Sequence, residues 1–263
     1  MSSKLAVQMY TVREHTKTAA DLKETLRKIR SIGYEAVQFS AIGAMAGESP
    51  EVDARTARRM LDDQGLQCIA THRPWQKLTE ATGEEIDFHQ ALGCSYVAIG
   101  GAPNIQNLSL DDFRAFARKA ENLAHLLAES GLKFGYHNHS CEFCRWERHG
   151  PTMMDVLIDE CAPALMLELD LYWIEHAGED SRRILERARG RVPVIHVKDK
   201  EVIMGTNDTR MAPIGEGNLP WDALLLAGEA AGVEWYGVEQ DNCYRDPFDC
   251  LKSSYDFLTA KGL

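Results

Sequence analysis

One short pattern repeats along the chain and restricts what it can fold into. A helix ends at a glycine, a short apolar run follows, and polar side chains stand where that run stops. The plainest case is Gly232-Val233-Glu234-Trp235-Tyr236-Gly237-Val238-Glu239. The pattern recurs at Gly33 to Gln38, Gly65 to His72, Gly93 to Gly101 and Gly131 to His139. Glycine after a helix adopts the left-handed C-cap at little steric cost. A short continuous apolar run suits a strand buried on both faces, as in a parallel sheet.

Taken in order, the periodicity predicts strands over 5–10, 34–39, 66–71, 96–100, 132–137, 165–169, 192–196 and 235–238. Helical spacing fills the intervals, as at Leu22, Leu26 and Ile29. Ser49-Pro50 reads as the cap and first turn of the second helix. A loop of roughly 20 residues follows the seventh strand and runs through Pro213-Ile214-Gly215-Glu216-Gly217; loops of that length are usually functional. Strands alternating with helices imply an α/β fold with a parallel sheet, and eight units in this length imply a single (β/α)8 TIM barrel over residues 1–263. An open doubly wound sheet would carry a glycine-rich phosphate loop after strand one, where this chain has Thr11-Val12-Arg13-Glu14-His15.

Composition narrows the partners. The 263 residues are 44% hydrophobic, enough for one large core, and carry a net charge of -11. That charge argues against a nucleic-acid backbone or an anionic membrane. No apolar run nears the roughly 20 residues that span a bilayer, and the polar start MSSKLAVQMYTVREH does not read as a signal peptide. A cytoplasmic location is the expectation. Seven cysteines without an export signal read as free thiols, the Cys141/Cys144 spacing notwithstanding.

In such barrels the active site lies at the C-terminal strand ends. Those ends carry Gln8 and Tyr10, Gln38, His72, His137 and His139, Asp170, His196 and Lys198, and Glu239 and Asp241. Alternate residues of a strand share a face, so His137 pairs with His139 and His196 with Lys198. One imidazole or carboxylate from each of strands five to eight gives four convergent ligands of mixed nitrogen and oxygen type. This donor set suits one Mn, Co, Zn or Fe divalent ion. Such an ion, holding a carbonyl and its neighbouring hydroxyl, would acidify the C–H between them. Taken singly, His196 reads as a core histidine, Asp170 as a helix cap and Trp173 as rim packing; recurrence at equivalent positions carries the functional reading. His89 lies off the strand ends and reads as solvated.

These residues resemble the sugar phosphate isomerase/epimerase proteins of the xylose-isomerase-like barrel superfamily, which also holds AP endonuclease family 2. The carrying stretches are Phe134-Gly135-Tyr136-His137-Asn138-His139 with Glu142-Phe143, Asp170-Leu171-Tyr172-Trp173, His196-Val197-Lys198-Asp199, Gly215-Glu216-Gly217 and Val238-Glu239-Gln240-Asp241. The resemblance implies a divalent metal on His137 or Glu142, Asp170, His196 and Glu239. It implies an isomerase or epimerase of a small sugar or keto-sugar, with Glu142 and Glu239 exchanging the proton. Tyr10, His72, His139, Trp173 and Lys198 would contact substrate. Relatives with two catalytic glutamates carry one on strand five, where this chain has His137. That departure leaves open a lyase or dehydratase acting on a keto-inositol or 3-keto-glycoside. The resemblance allows a homo-oligomer. The superfamily's DNA-repair endonucleases need a basic face, which this acidic chain does not offer.

Overall fold

Eight parallel strands close on themselves in the order β1-β10-β7-β6-β5-β4-β3-β2, with helices between them. The computed structural model describes residues 4–263. The first half runs β1 (Leu5–Gln8), α1 (Ala19–Ile32), β2 (Ala36–Phe39), α2 (Ala54–Gln64), β3 (Gln67–His72), α3 (Trp75–Glu80), α4 (Thr82–Leu92), β4 (Tyr96–Ile99) and α5 (Leu110–Ala128). The second half runs β5 (Lys133–His137), α6 (Met153–Asp155), β6 (Leu165–Asp170), α7 (Leu171–His176), α8 (Ser181–Arg187), β7 (Val194–Val197), β8 (Asp199–Val202), β9 (Thr209–Ala212), α9 (Trp221–Ala231), β10 (Trp235–Val238) and α10 (Pro247–Ala260). The eighth barrel strand is therefore β10. The expected (β/α)8 architecture is present. No helix among the described residues is long and apolar enough to cross a membrane.

Several local expectations give way to specific contacts. The first strand stops at Gln8, because its side chain accepts from the Tyr10 N–H and turns residues Met9–His15 into a 3-10 helix. Asp53, not Ser49, caps α2, accepting the Thr56 N–H at 2.7 Å. Residues Trp75–Glu80 form an additional helix, and α6 continues into a π-turn over Val156–Glu160. His89 is fully buried rather than solvated: its ring sits 2.7 Å from Thr71 Oγ1 and 2.6 Å from the Glu85 carbonyl, and burial depresses its pKa.

The barrel separates two environments. Its outward-facing side chains join the helices in the main core, around Leu22, Leu26, Phe113, Leu167 and Ile195. Its interior is plugged low down by a second apolar cluster of Ala70, Tyr96, Ala98 and Val194, with Met166 and Trp235 against it. Gly135 is required there, since a Cβ on it would lie 2.0 Å from the Tyr96 hydroxyl. Above this plug the inward positions change to Gln38, His72, His137, Glu168, Asp170, His196 and Glu239. Register holds several of them level: His137 lies beside Glu168, and Asp170 beside His196.

The long segment after β7 is an antiparallel hairpin, β8–β9, followed by a turn. Asp199 organises it. Its buried carboxylate accepts the N–H groups of Gly215, Gly217 and Leu219 at 2.9, 3.1 and 3.1 Å and the Trp221 indole N–H at 2.7 Å. Asp199→Ala would strand these four donors, and buried unpaired donors cost about 1–3 kcal/mol each. The expected outcome is a loss of at least about 3 kcal/mol, read as a melting temperature lower by roughly 10 °C; an unchanged melting temperature would refute the clamp.

Candidate metal and active site

Asp170 ends β6 and starts α7, and its two oxygens divide the work. Oδ1 accepts the Trp173 N–H at 3.0 Å, capping the helix, while Asn138 Oδ1 accepts the Asp170 N–H at 3.0 Å. Oδ2 is left facing the barrel axis, 3.9 Å from His137 Nε2 and 3.9 Å from His196 Nδ1. Glu239 Oε2 lies 3.1 Å from His196 Nδ1. The Lys198 ammonium lies 2.9 Å from Asp170 Oδ2 and 2.7 Å from Glu239 Oε2. None of Asp170 Oδ2, His196 Nδ1 and Glu239 Oε2 has a hydrogen bond, although all are buried. The Lys198 contacts are thus ion pairs off the hydrogen-bond angle.

A second group sits one layer below. Glu168 is fully buried; its Oε1 accepts hydrogen bonds from Gln38 Nε2 at 2.8 Å and His72 Nε2 at 2.7 Å, and His196 Nε2 lies 2.7 Å away as an ion-pair contact. Gln38 Oε1 also lies 2.8 Å from His196 Nε2. With its amide nitrogen spent on Glu168, Gln38 offers His196 only an acceptor. His196 Nε2 therefore faces two acceptors and must carry a proton, so Nδ1 is the nitrogen that titrates. A histidine whose far N–H is held by a carbonyl or carboxylate oxygen, here Gln38 Oε1 with Glu168 beside it, is the usual support for a metal ligand. Sequence reasoning missed Glu168. The signal was available: Glu168 and Asp170 are two apart on one strand and so share a face.

Charge supports the same reading. Burial would raise Glu168 and Glu239, but His72 and His196 hold the first, and Lys198 and His196 the second, well below the carboxylate range. Burial raises Asp170 despite the pull of Lys198 and His196. Burial, with neighbouring His196 and His72, keeps His137 well below its ordinary value and so neutral. His196 shows the opposite balance: burial would lower it, but Glu168 and Glu239 push it up to about 10. Once the Nδ1 proton of His196 is displaced, three buried carboxylates against one ammonium leave two negative charges to offset. A divalent ion matches that count and the orphaned donor set. Asp170, His196 and Glu239 form one group of mutually close ligand atoms; His72, His137, Glu168 and His196 form another.

The other expected residues divide. His72, His137, Asp170, His196, Lys198 and Glu239 converge. His139 and Trp173 stand at the rim: their rings are 5.8 Å apart, and Lys198 Nζ lies 5.6 Å from the Trp173 ring. Tyr10 sits on the 3-10 helix with Arg13 over its ring at 4.0 Å. Glu142 is outside both groups. The turn at Cys141–Phe143 aims it back at β5, where Oε1 accepts the Tyr136 hydroxyl and Oε2 the His139 N–H, each at 2.8 Å. The geometry therefore offers His137, not Glu142, as the strand-five donor.

A family profile described as xylose isomerase-like TIM barrel matches residues 26–260. The chain belongs to that family. A curated relative within it is the inosose dehydratase of Clostridium perfringens (strain 13 / Type A), 23% identical over 255 residues, covering 83% of this chain and 85% of the relative. A sugar phosphate isomerase/epimerase from Parabacteroides distasonis ATCC 8503 shares the barrel with a TM-score of 0.79 and 22% identity over 98% of both chains. The IOLI protein, solved with a zinc atom bound, matches with a TM-score of 0.73 and 15% identity over 98% of this chain and 97% of that one. The xylose isomerase-like family thus includes both isomerases or epimerases and dehydratases.

Two outcomes are expected of this site. Glu168→Leu should weaken divalent-ion binding about 10–100-fold, measured by equilibrium dialysis on protein shown folded by circular dichroism; unchanged affinity would rule out the support role. Binding at His196 Nδ1 must displace the proton favoured there below about pH 10. Apparent affinity should therefore rise with pH between about 6 and 9, with proton release seen by calorimetry in two buffers.

Proposed function

We propose that the protein is a divalent-metal-dependent enzyme of carbohydrates that draws a proton from the carbon beside a carbonyl. Elimination of water or an alcohol from a keto-inositol or 3-keto-glycoside is the reaction this chain's residues favour. The observation that carries the reading is the buried cluster of Asp170, His196 and Glu239, with His137 beside it and more carboxylates than cations. A metal held there would polarise the carbonyl and lower the pKa of the neighbouring C–H.

The remaining steps belong to side chains. Glu239 Oε2 is directed at His196 and Lys198, which leaves Oε1 to accept the proton. The Lys198 ammonium, buried between Asp170 and Glu239, steadies the negative oxygen that develops. His72 is held through Nε2 by Glu168, and its Nδ1 makes no hydrogen bond among the described residues, so as the imidazolium it can pass the Nδ1 proton to a leaving oxygen. Glu142 is turned back on β5, each oxygen holding a donor there, and so does not face the cluster as an opposing base. Exchange between two glutamates loses its second member, which favours elimination. The dehydratase relatives point the same way.

An isomerase or epimerase on the same substrates is the second reading. It is favoured by His72, which could return a proton to the opposite face in place of Glu142.

Metal-loaded protein incubated with keto-inositol and with a 3-keto-glucoside in D2O tests both. Loss of water or alcohol indicates elimination; deuterium at the carbon beside the carbonyl without loss indicates isomerisation. Glu239→Gln should lower turnover about a thousandfold. Retained activity in Glu239→Gln would sink its role as the base.

A further inference from the structure

A cavity of about 500 Å³ opens between the C-terminal ends of β2 and β3, with Ile42, Met45, Pro74 and Phe88 among its walls and His72 at one edge. His72 also belongs to the buried cluster. Its ring centroid is 5.1 Å from that of His137 and 5.5 Å from that of His196. The cavity and the cluster are therefore two sides of one imidazole. Volumes of this size and an apolar lining are typical of small-molecule sites.

The wall is built, not incidental. Residues 40–53 fold back on the segment after the first 3-10 helix, and buried Thr16 ties the two together. Its hydroxyl accepts the Gly43 N–H at 3.2 Å, its carbonyl accepts the Ala44 N–H at 2.7 Å, and the Ala44 carbonyl takes the Val52 N–H at 2.9 Å. Ala41, on the cavity wall, is held at φ +53° although it is not glycine. A non-glycine backbone kept in that region is strained and persists only where its surroundings impose it.

The lining also selects the occupant. Arg73 spends two nitrogens on Glu85 at 2.5 and 2.6 Å, and its guanidinium lies 4.3 Å from the Phe88 ring centroid. Its charge is neutralised and its face covered. Lys77 and Asp53, of opposite sign, complete the charged part of the lining. There is no cradle of donors for a phosphate.

We infer that this cavity is a subsite for a neutral apolar group, an aryl or alkyl substituent carried by the sugar, so that the substrate is a glycoside rather than a free sugar. The inference rests on the carbohydrate reading of the metal cluster. His72, on β3 across the barrel from β7, stands 5.5 Å from the His196 ring, so a substituent that extends over it from a sugar on Asp170, His196 and Glu239 enters the space between Ile42, Met45 and Phe88.

The test uses methyl-13C methionine protein, with the Met45 signal assigned by Met45→Leu. Phenol added to metal-free protein should move the Met45 methyl resonance. Phenyl β-D-glucoside should bind metal-loaded protein about tenfold or more tighter than methyl β-D-glucoside by calorimetry. Ile42→Trp and Met45→Trp, which fill the space, should each cut that preference to below about threefold. Equal affinities, a preference that survives both fillings, or a Met45 signal indifferent to phenol would overturn the subsite. So would tighter binding of glucose 6-phosphate than glucose that is lost in Lys77→Ala, which would make this an anion site. A Met45 response without any metal-dependent turnover would sink the carbohydrate reading and leave the apolar site standing.

Discussion

One oxygen of Glu168 is the meeting point of side chains that arrive on three different strands, with hydrogen bonds from β2 and β3 and the His196 ring of β7 at ion-pair distance. Much of the barrel's interior depends on that convergence. An acceptor-only group at this point fixes the amide of Gln38, the tautomer of His196 and the position of His72 together. The cost of burying a carboxylate is offset because every donor aimed at it is itself buried or nearly so, in a medium where such bonds are strong. His196 then presents Nδ1 upward to Asp170 and Glu239 without a separate device to hold its ring.

The apolar plug beneath explains why the polar groups stand where they do. Ala70, Ala98 and Val194 leave room for Tyr96 to cross the interior, and its hydroxyl fills the space above Gly135. With the lower interior closed, inward-facing polar residues are confined to the upper layers. There, closure of the sheet prevents neighbouring strands from sliding apart. Preorganisation of the cluster is thus a property of the closed sheet as much as of the hydrogen bonds within it.

The fold was legible because glycine C-caps and apolar runs report local conformation directly. The left-handed φ at Gly65, Gly93 and Gly232 matches the reading of those positions as helix ends. Boundaries were less legible where a side chain competes with the backbone: Gln8 cuts β1 short, and Asp53 takes over the cap from Ser49. At the site, Asp170, His196, Lys198 and Glu239 could be named from strand-end position alone. Glu168 escaped because it sits within an apolar run and not at its end. Glu142 entered only through the family resemblance, and the turn at Cys141–Phe143 aims it back at β5, a direction that a five-residue separation from His137 does not report. His89 shows the same limit: its partner Thr71 comes from another element, 18 residues away.

Asp170 makes the floor and the rim of the site mechanically inseparable. One oxygen holds the first turn of α7, which carries Trp173 beneath the Lys198 ammonium, and the other belongs to the charge cluster. A carboxylate shared in this way acts as a strut between the helix and the cluster. Tilting α7 would pull a donor away from the cluster, and a shift in the cluster would loosen the helix that shapes the entrance. The rim can move only by way of the group that anchors the charge.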